Sequence, residues 1–294
     1  MKIQVSFVAV AVAAAVSAAS SPLAARQNSD SIQGGVIYNA PSGDAITSIS
    51  GTFVVPTQSI PIQGPYANRA SGIYAFSVNI GIGGYPGFGS QTGCAASTGA
   101  IRAGIDVYYN AYDDQAMPAF AWYQYGVGST AVANGGAFAY AGFNVESGDL
   151  VRVTATADSS VSAVLENFGK VSSTAGRSPV QKAEPTYGVG NTQAGSICRG
   201  EASWLVEDHT TETEPPLAKI MGNFTDIVFT DMTAKTKSGA TFSVAGSKLV
   251  NINIKDQGGQ ITECAAAGAA ELRCKRVVKA AGATRRADGT ICED

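Results

Sequence analysis

Histidine is nearly missing from this chain: His209 is the one such residue in 294. A histidine-rich metal site is therefore excluded, and a Ser-His-Asp or Cys-His arrangement would have to use that single side chain. Its setting, VEDHTTETEPP, reads as a strand end running into an acidic surface loop. Charge is scarce too, with 20 Lys and Arg against 23 Asp and Glu and a net charge of −3. No broad positive field exists to attract nucleic acid, so none is expected as a partner. After the N-terminal region no apolar run approaches the ~18 residues that a membrane-crossing helix requires. Nor is there sustained amphipathic helical periodicity before the alanine-rich C-terminal stretch. The Gly-rich GIGGYPGFGSQTG at 81–93 lacks the Lys-Ser/Thr ending of a phosphate loop and precedes no helix, so it reads as a loop between strands. No cofactor and no metal are expected, and any acid–base work falls to carboxylates and amides.

What is present begins with Lys2, an apolar run from Val5 to about Val16, and then small residues suited to a signal peptidase. The expectation is a signal peptide over 1–19, a short pro-segment or linker over 20–30 with a basic site at Arg26, and a secreted, extracellular product. Five cysteines in an oxidising compartment suggest two disulfides and one leftover thiol. Spacing favours Cys94 with Cys198, and a second pair among Cys264, Cys274 and Cys292.

The body reads as strands. IYAFSVNIGI (73–82) alternates, with Tyr74, Phe76, Val78, Ile80 and Ile82 on one face and Ser77 and Asn79 on the other. AIRAGID (100–106) places Ile101, Ala103 and Ile105 opposite Arg102, Gly104 and Asp106. Further strand patterns recur at hairpin-like spacing, separated by Gly, Pro, Asn, Asp and Ser. Many half-buried strands must cover their apolar faces with a second sheet, so the predicted fold is all-β, a two-sheet antiparallel β-sandwich over 31–256. From about Gln257 the pattern dissolves, and 257–294 reads as a dispensable tail with dibasic sites at Lys275-Arg276 and Arg285-Arg286. Asn223, in GNFTD, is the sole glycosylation sequon, at the entry to a strand. A monomer is expected.

Five segments, taken in order, carry a family resemblance: SGTFVVP (50–56), NVESGDLVRVTATADSS (144–160), SAVLENFGK (162–170), ICRGEASWLVED (197–208) and FTDIVFTDM (224–232). Together they resemble the fungal glutamic peptidases, the eqolisins or G1 family, secreted acid endopeptidases with a lectin/glucanase-like β-sandwich. The resemblance implies a glutamate that activates water and a glutamine that orients it and stabilises the oxyanion. It sets the glutamate on Glu166. The glutamine's segment, anchored on Gly104-Ile105-Asp106, puts Arg102 in its place, while Gln91 in SQTG mimics the motif without the following aspartate. The family's tryptophan near the mature N-terminus falls near Ile32, another falls on Asn79, and a cleft aspartate falls on Gly83. Trp122 matches, although Gln124 replaces a glutamate and Phe120 an aspartate. Trp204, Glu207 and Asp208 keep their pattern, with Ser203 replacing an acid.

An arginine beside the catalytic carboxylate can occupy both oxygens and spoil it as a base. Guanidinium is also a strong donor to a developing oxyanion, provided Asp106 holds it away from Glu166. Two readings stay open. One is an acid endopeptidase using Glu166 and Arg102, with Asp106, Trp122, Asn79 and Gln124 lining the substrate groove. The other is an inactive family member whose groove binds protein or peptide. Glycan binding is a weaker third, resting on fold analogy alone.

Overall fold

The computed structural model describes residues 31–59, 73–83, 99–110, 113–126, 137–185, 197–208, 221–254 and 259–277. Every regular element among them is a strand, and no helix there is long and apolar enough to cross a membrane. In chain order the strands are β1 (Gln33–Asn39), β2 (Ile46–Val54), β3 (Gln58–Ser59), β4 (Ile73–Ile82), β5 (Ala100–Asn110), β6 (Gln115–Ala116) and β7 (Phe120–Gly126). Then come β8 (Phe138–Ala139), β9 (Leu150–Ala157), β10 (Val161–Asn167), β11 (Gln181–Ala183), β12 (Glu201–Asp208) and β13 (Asn223–Phe224). The series ends with β14 (Ile227–Thr236), β15 (Lys248–Val250), β16 (Asn253–Ile254), β17 (Gly259–Gln260), β18 (Thr262–Gly268) and β19 (Glu271–Arg276).

Two large sheets result. The front sheet runs β15-β1-β12-β4-β5-β7-β8 with β6 paired to β5, and the back sheet runs β11-β10-β9-β2-β14-β19-β18. Neighbouring strands pair antiparallel throughout both. The period of two does the sorting, because each strand turns alternate side chains to opposite faces. Val78, Ile80, Ile101, Ala103, Ile105, Trp204 and Val206 from the front sheet join Ile49, Phe53, Val153, Ala163, Leu165 and Phe229 from the back sheet in one buried core. The predicted sandwich and the alternation over 73–82 both hold.

Trp204 keys the two sheets together. Its indole Nε1 donates to the Ser50 carbonyl at 3.0 Å, so the one polar atom of a fully buried ring is satisfied across the core. Gly51 makes room for it, since a Cβ there would stand 2.7 Å from that same Nε1.

The boundary at 256 is corrected. β19 pairs with β14 deep in the back sheet, β18 pairs with β19, and Ile261, Leu272 and Cys274 are buried in the common core. Alanine-rich composition hid a strand pair, because within CAAAG only Cys264 is buried and the small residues that follow it are all exposed on the sheet edge, so no alternation shows. Lys275-Arg276 lies inside β19 rather than in a linker, with Arg276 Nη1 donating to the Ile261 and Val277 carbonyls at 3.2 and 2.9 Å. The expected disulfide among the C-terminal cysteines is Cys264–Cys274, directly across this pair of strands. Cys198 is also disulfide-bonded. Cys94, its expected partner, lies outside the described residues, as do Cys292, Gln91, His209 and Arg285-Arg286.

Candidate active site

The face of the front sheet that points away from the core carries the polar side chains. Register fixes their layout in three rows across the strands. Gln33, Glu207, Ser77, Asp106 and Phe120 are successive lateral neighbours on β1, β12, β4, β5 and β7. The next row is Gly35, Leu205, Asn79, Gly104 and Trp122, and the third is Ile37, Ser203, Gly81, Arg102 and Gln124. Arg102, Asp106, Asn79, Trp122 and Gln124, five residues singled out from sequence, thus share one face.

Two glycines make the surface between them low enough for long side chains to lie flat. A Cβ on Gly81 would fall 2.4 Å from Arg102 Cγ, and one on Gly104 would fall 2.6 Å from Asn79 Cβ. The aliphatic stem of Arg102 therefore crosses Gly81 and carries its guanidinium diagonally over the sheet, 6.0 Å from the centroid of the Trp122 ring.

The guanidinium arrives at Glu207. Arg102 Nη2 donates to Glu207 Oε2 as a buried ion pair and to Asn79 Oδ1 at 2.9 Å. Asn79 Nδ2 donates to the same Oε2 at 2.5 Å, and Gln33 Nε2 donates to Oε1. Asn79 spends both ends of its amide here, accepting from the cation and donating to the anion. All four residues are buried despite standing on the outward face. Beside them Asp106 accepts from Ser77 Oγ and from Trp122 Nε1 (2.6 Å) on one oxygen, and from the Tyr108 hydroxyl at 3.1 Å on the other. Burial, and then the Asp106 charge, push the Tyr108 phenol above its usual range, so it stays a donor. Asp106 thereby fixes the tilt of the buried Trp122 ring on the outward face of the front sheet.

Glu166 is elsewhere. It alternates with Ala163 and Leu165, which are in the core, so its side chain leaves the outer face of the back sheet. There it faces Arg152 and Lys182 on the flanking strands and accepts from Arg152 Nε at 2.7 Å. Arg102 leaves the opposite outer face, and sheets in a sandwich are themselves about 10 Å apart. The expected meeting of Arg102 with Glu166 does not occur; the carboxylate that Arg102 meets is Glu207. Both segments, LEN and VED, put an acid at alternate parity to core residues, and parity alone cannot say which sheet a strand joins. Gln33 and Ser77 were also missed as site residues. Gln33, rather than its neighbour Ile32, stands on the outward face beside Glu207, while Ile32 packs against the core. Among the described residues no cluster of three or more His, Cys, Asp or Glu could hold a metal ion.

The peptidase A4 family model matches residues 31–276. The chain belongs to the peptidase A4 family. Its match ends at β19, in agreement with the strands found beyond 256. Among solved structures, scytalido-glutamic peptidase with a transition state analogue inhibitor is 22% identical, covers 84% of this chain and 98% of its own, and superposes with a TM-score of 0.58. A second structure of that enzyme, with a peptide-based transition state analogue, gives 23% identity at the same coverages and TM-score. SCP-B, an eqolisin in complex with the tripeptide Ala-Ile-His, is 22% identical with a TM-score of 0.55, covering 84% of this chain and 98% of its own. At these identities the likeness is one of fold. No curated protein matches the sequence.

Proposed function

We propose that this chain binds peptides along the outer face of its front sheet, at the position where the peptidase A4 family cleaves them, and that hydrolysis there is held off by the three side chains, Arg102, Asn79 and Gln33, that engage the Glu207 carboxylate. Glu207, rather than Glu166, is the carboxylate placed to act on substrate. The observation that carries this reading is the engagement of both Glu207 oxygens by Gln33, Asn79 and Arg102. A carboxylate offers about four lone-pair sites. Three are taken: Asn79 and Arg102 fill Oε2, and Gln33 leaves Oε1 a single site at which to meet a water or take its proton. A general base must receive a proton in its transition state, so such a carboxylate works badly. Titratable groups alone do not decide the matter; the donors aimed at them do.

Binding survives what catalysis does not. Trp122 is held at a fixed tilt by Asp106, and Phe120, at the end of the Gln33–Glu207 row, is exposed. Phe120 offers an extended peptide an exposed aromatic contact, with the buried Trp122 ring beside it on the same strand face, a counterpart to the tripeptide and peptide-like ligands carried by the related structures. The same reading places the protein outside the cell, on the strength of the apolar run at Val5 to Val16 and the small residues after it.

The test is proteolysis of denatured casein in acid buffers from about pH 2 to about pH 5, comparing the wild type with Glu207→Gln. Both should be silent, while casein-derived peptides change the tryptophan fluorescence of both. Digestion by the wild type that Glu207→Gln abolishes would overturn the proposal and make Arg102 a working donor to the oxyanion.

A further inference from the structure

Removing the arginine does not by itself free the glutamate. Glu207 Oε1 is held from β1 by Gln33, on the far side of β12 from Arg102, and Oε2 is held by Asn79, its diagonal neighbour on β4. Both amides are buried, Asn79 at 0% and Gln33 at 2% exposure, so water does not stand in for them. Each lies on a regular strand whose register is locked on both sides, and neither depends on Arg102 for its backbone position. Where the family pattern has an aromatic side chain on β4, this chain has an amide reaching the same carboxylate that the cation reaches. The three substitutions share one acceptor.

We infer that Gln33 and Asn79 are positioning residues that hold the Glu207 carboxylate against the sheet independently of Arg102, so that the ion pair is one of three restraints and not the lock itself. This rests on Glu207 being the reactive carboxylate. With Arg102 replaced, Oε1 still accepts from Gln33 and Oε2 from Asn79. Losing one further donor leaves an oxygen free to rotate toward solvent and toward a bound water.

Carbodiimide-activated coupling of glycine ethyl ester, followed by peptide mass spectrometry, reads the freedom of Glu207 without any need for catalysis. Glu166, on the opposite face, serves in every variant as the internal control for partial unfolding. Arg102→Gln should label at Glu207 within about threefold of the wild-type rate, and Arg102→Gln/Gln33→Met at least about tenfold faster. Labelling of Arg102→Gln as fast as the double variant would overturn the inference, because Arg102 alone would then hold the carboxylate. A double variant as unreactive as the wild type would overturn it equally. If Gln33→Met fails to fold, judged by its melting curve and by Glu166 labelling, Arg102→Gln/Asn79→Ser replaces it with the same two readings. The casein assay separates this from the functional proposal: a wild type that digests casein sinks the latter while the labelling order still stands or falls separately.

Discussion

Arg102→Met tests whether the ion pair at the centre of the cleft is truly a buried one. The side chains of Arg102 and Glu207 are 5% and 12% exposed, which puts the pair outside the regime of surface salt bridges. Deleting one member of a buried pair strands the other charge, and such changes cost about 3 to 5 kcal/mol. Here Gln33 and Asn79 still donate to the stranded Glu207, so the lower end, about 3 kcal/mol, is the expected loss. Urea unfolding followed by tryptophan fluorescence is a suitable assay, since Trp204 sits in the core. With a slope near 2 to 3 kcal/mol per molar, the midpoint should fall by about 1 to 1.5 M. Glu207→Gln in the same background removes the stranded charge, and the double-mutant cycle should show coupling of about 2 kcal/mol. A loss under about 1 kcal/mol with no coupling would mean that water screens the pair, and the account of a clamped carboxylate would fall with it.

Ending the chain after Asp256 removes β18 and β19 together with the core residues Ile261, Leu272 and Cys274; the truncated chain should show no cooperative unfolding transition, and a normal transition would refute the revised boundary. Replacing Cys264 and Cys274 by serine opens a loop of sequence separation 10 and should lower stability by about 2 to 3 kcal/mol, read in the same urea assay. Glu166→Gln should leave peptide binding and any acid proteolysis unchanged, and an effect on either would restore Glu166 to the site. Asn223, half-exposed at the start of β13, should carry a glycan in the secreted product, which mass spectrometry before and after deglycosylation will show.

The sandwich was legible because its signal is local. Strand by strand, the period of two separates Ile101, Ala103 and Ile105 from Arg102, Gly104 and Asp106, and nothing in the tertiary structure overrides it. The same rule put Arg102, Asp106 and Asn79 on the polar faces of their strands before any pairing was known, while Trp122 and Gln124 came from the family resemblance. What parity could not convey was sheet membership. Glu166 and Glu207 look alike in sequence, each an acid next to an amide or acid at a strand end, yet β10 and β12 belong to different sheets whose outer faces point apart. That distinction depends on strand order, a non-local property. Gln33 was unreadable for a related reason: it gains its role only when β1 docks beside β12, a partner 174 residues away in sequence. The C-terminal pair of strands was lost because alanine gives no alternation where both sides are small.

Arg102, Asn79, Gln33 and Gly81 form one interlocking set around Glu207, and the geometry explains why they belong together. An arginine introduced alone beside Glu207 would bring one donor into a largely apolar aromatic surround, leaving Oε1 and the rest of the guanidinium to be satisfied in a region that excludes water. Asn79 resolves part of this by accepting from Nη2 and donating to Oε2, and Gln33 covers Oε1. Gly81 supplies the space the longer side chain needs, since any Cβ there would collide with the arginine stem. The network thus runs from a floor glycine through a bridging amide to a charge pair. With its two oxygens engaged from β1, β4 and β5, Glu207 is held in one place on the outward face, and the proposed binding of peptide there starts from that fixed carboxylate.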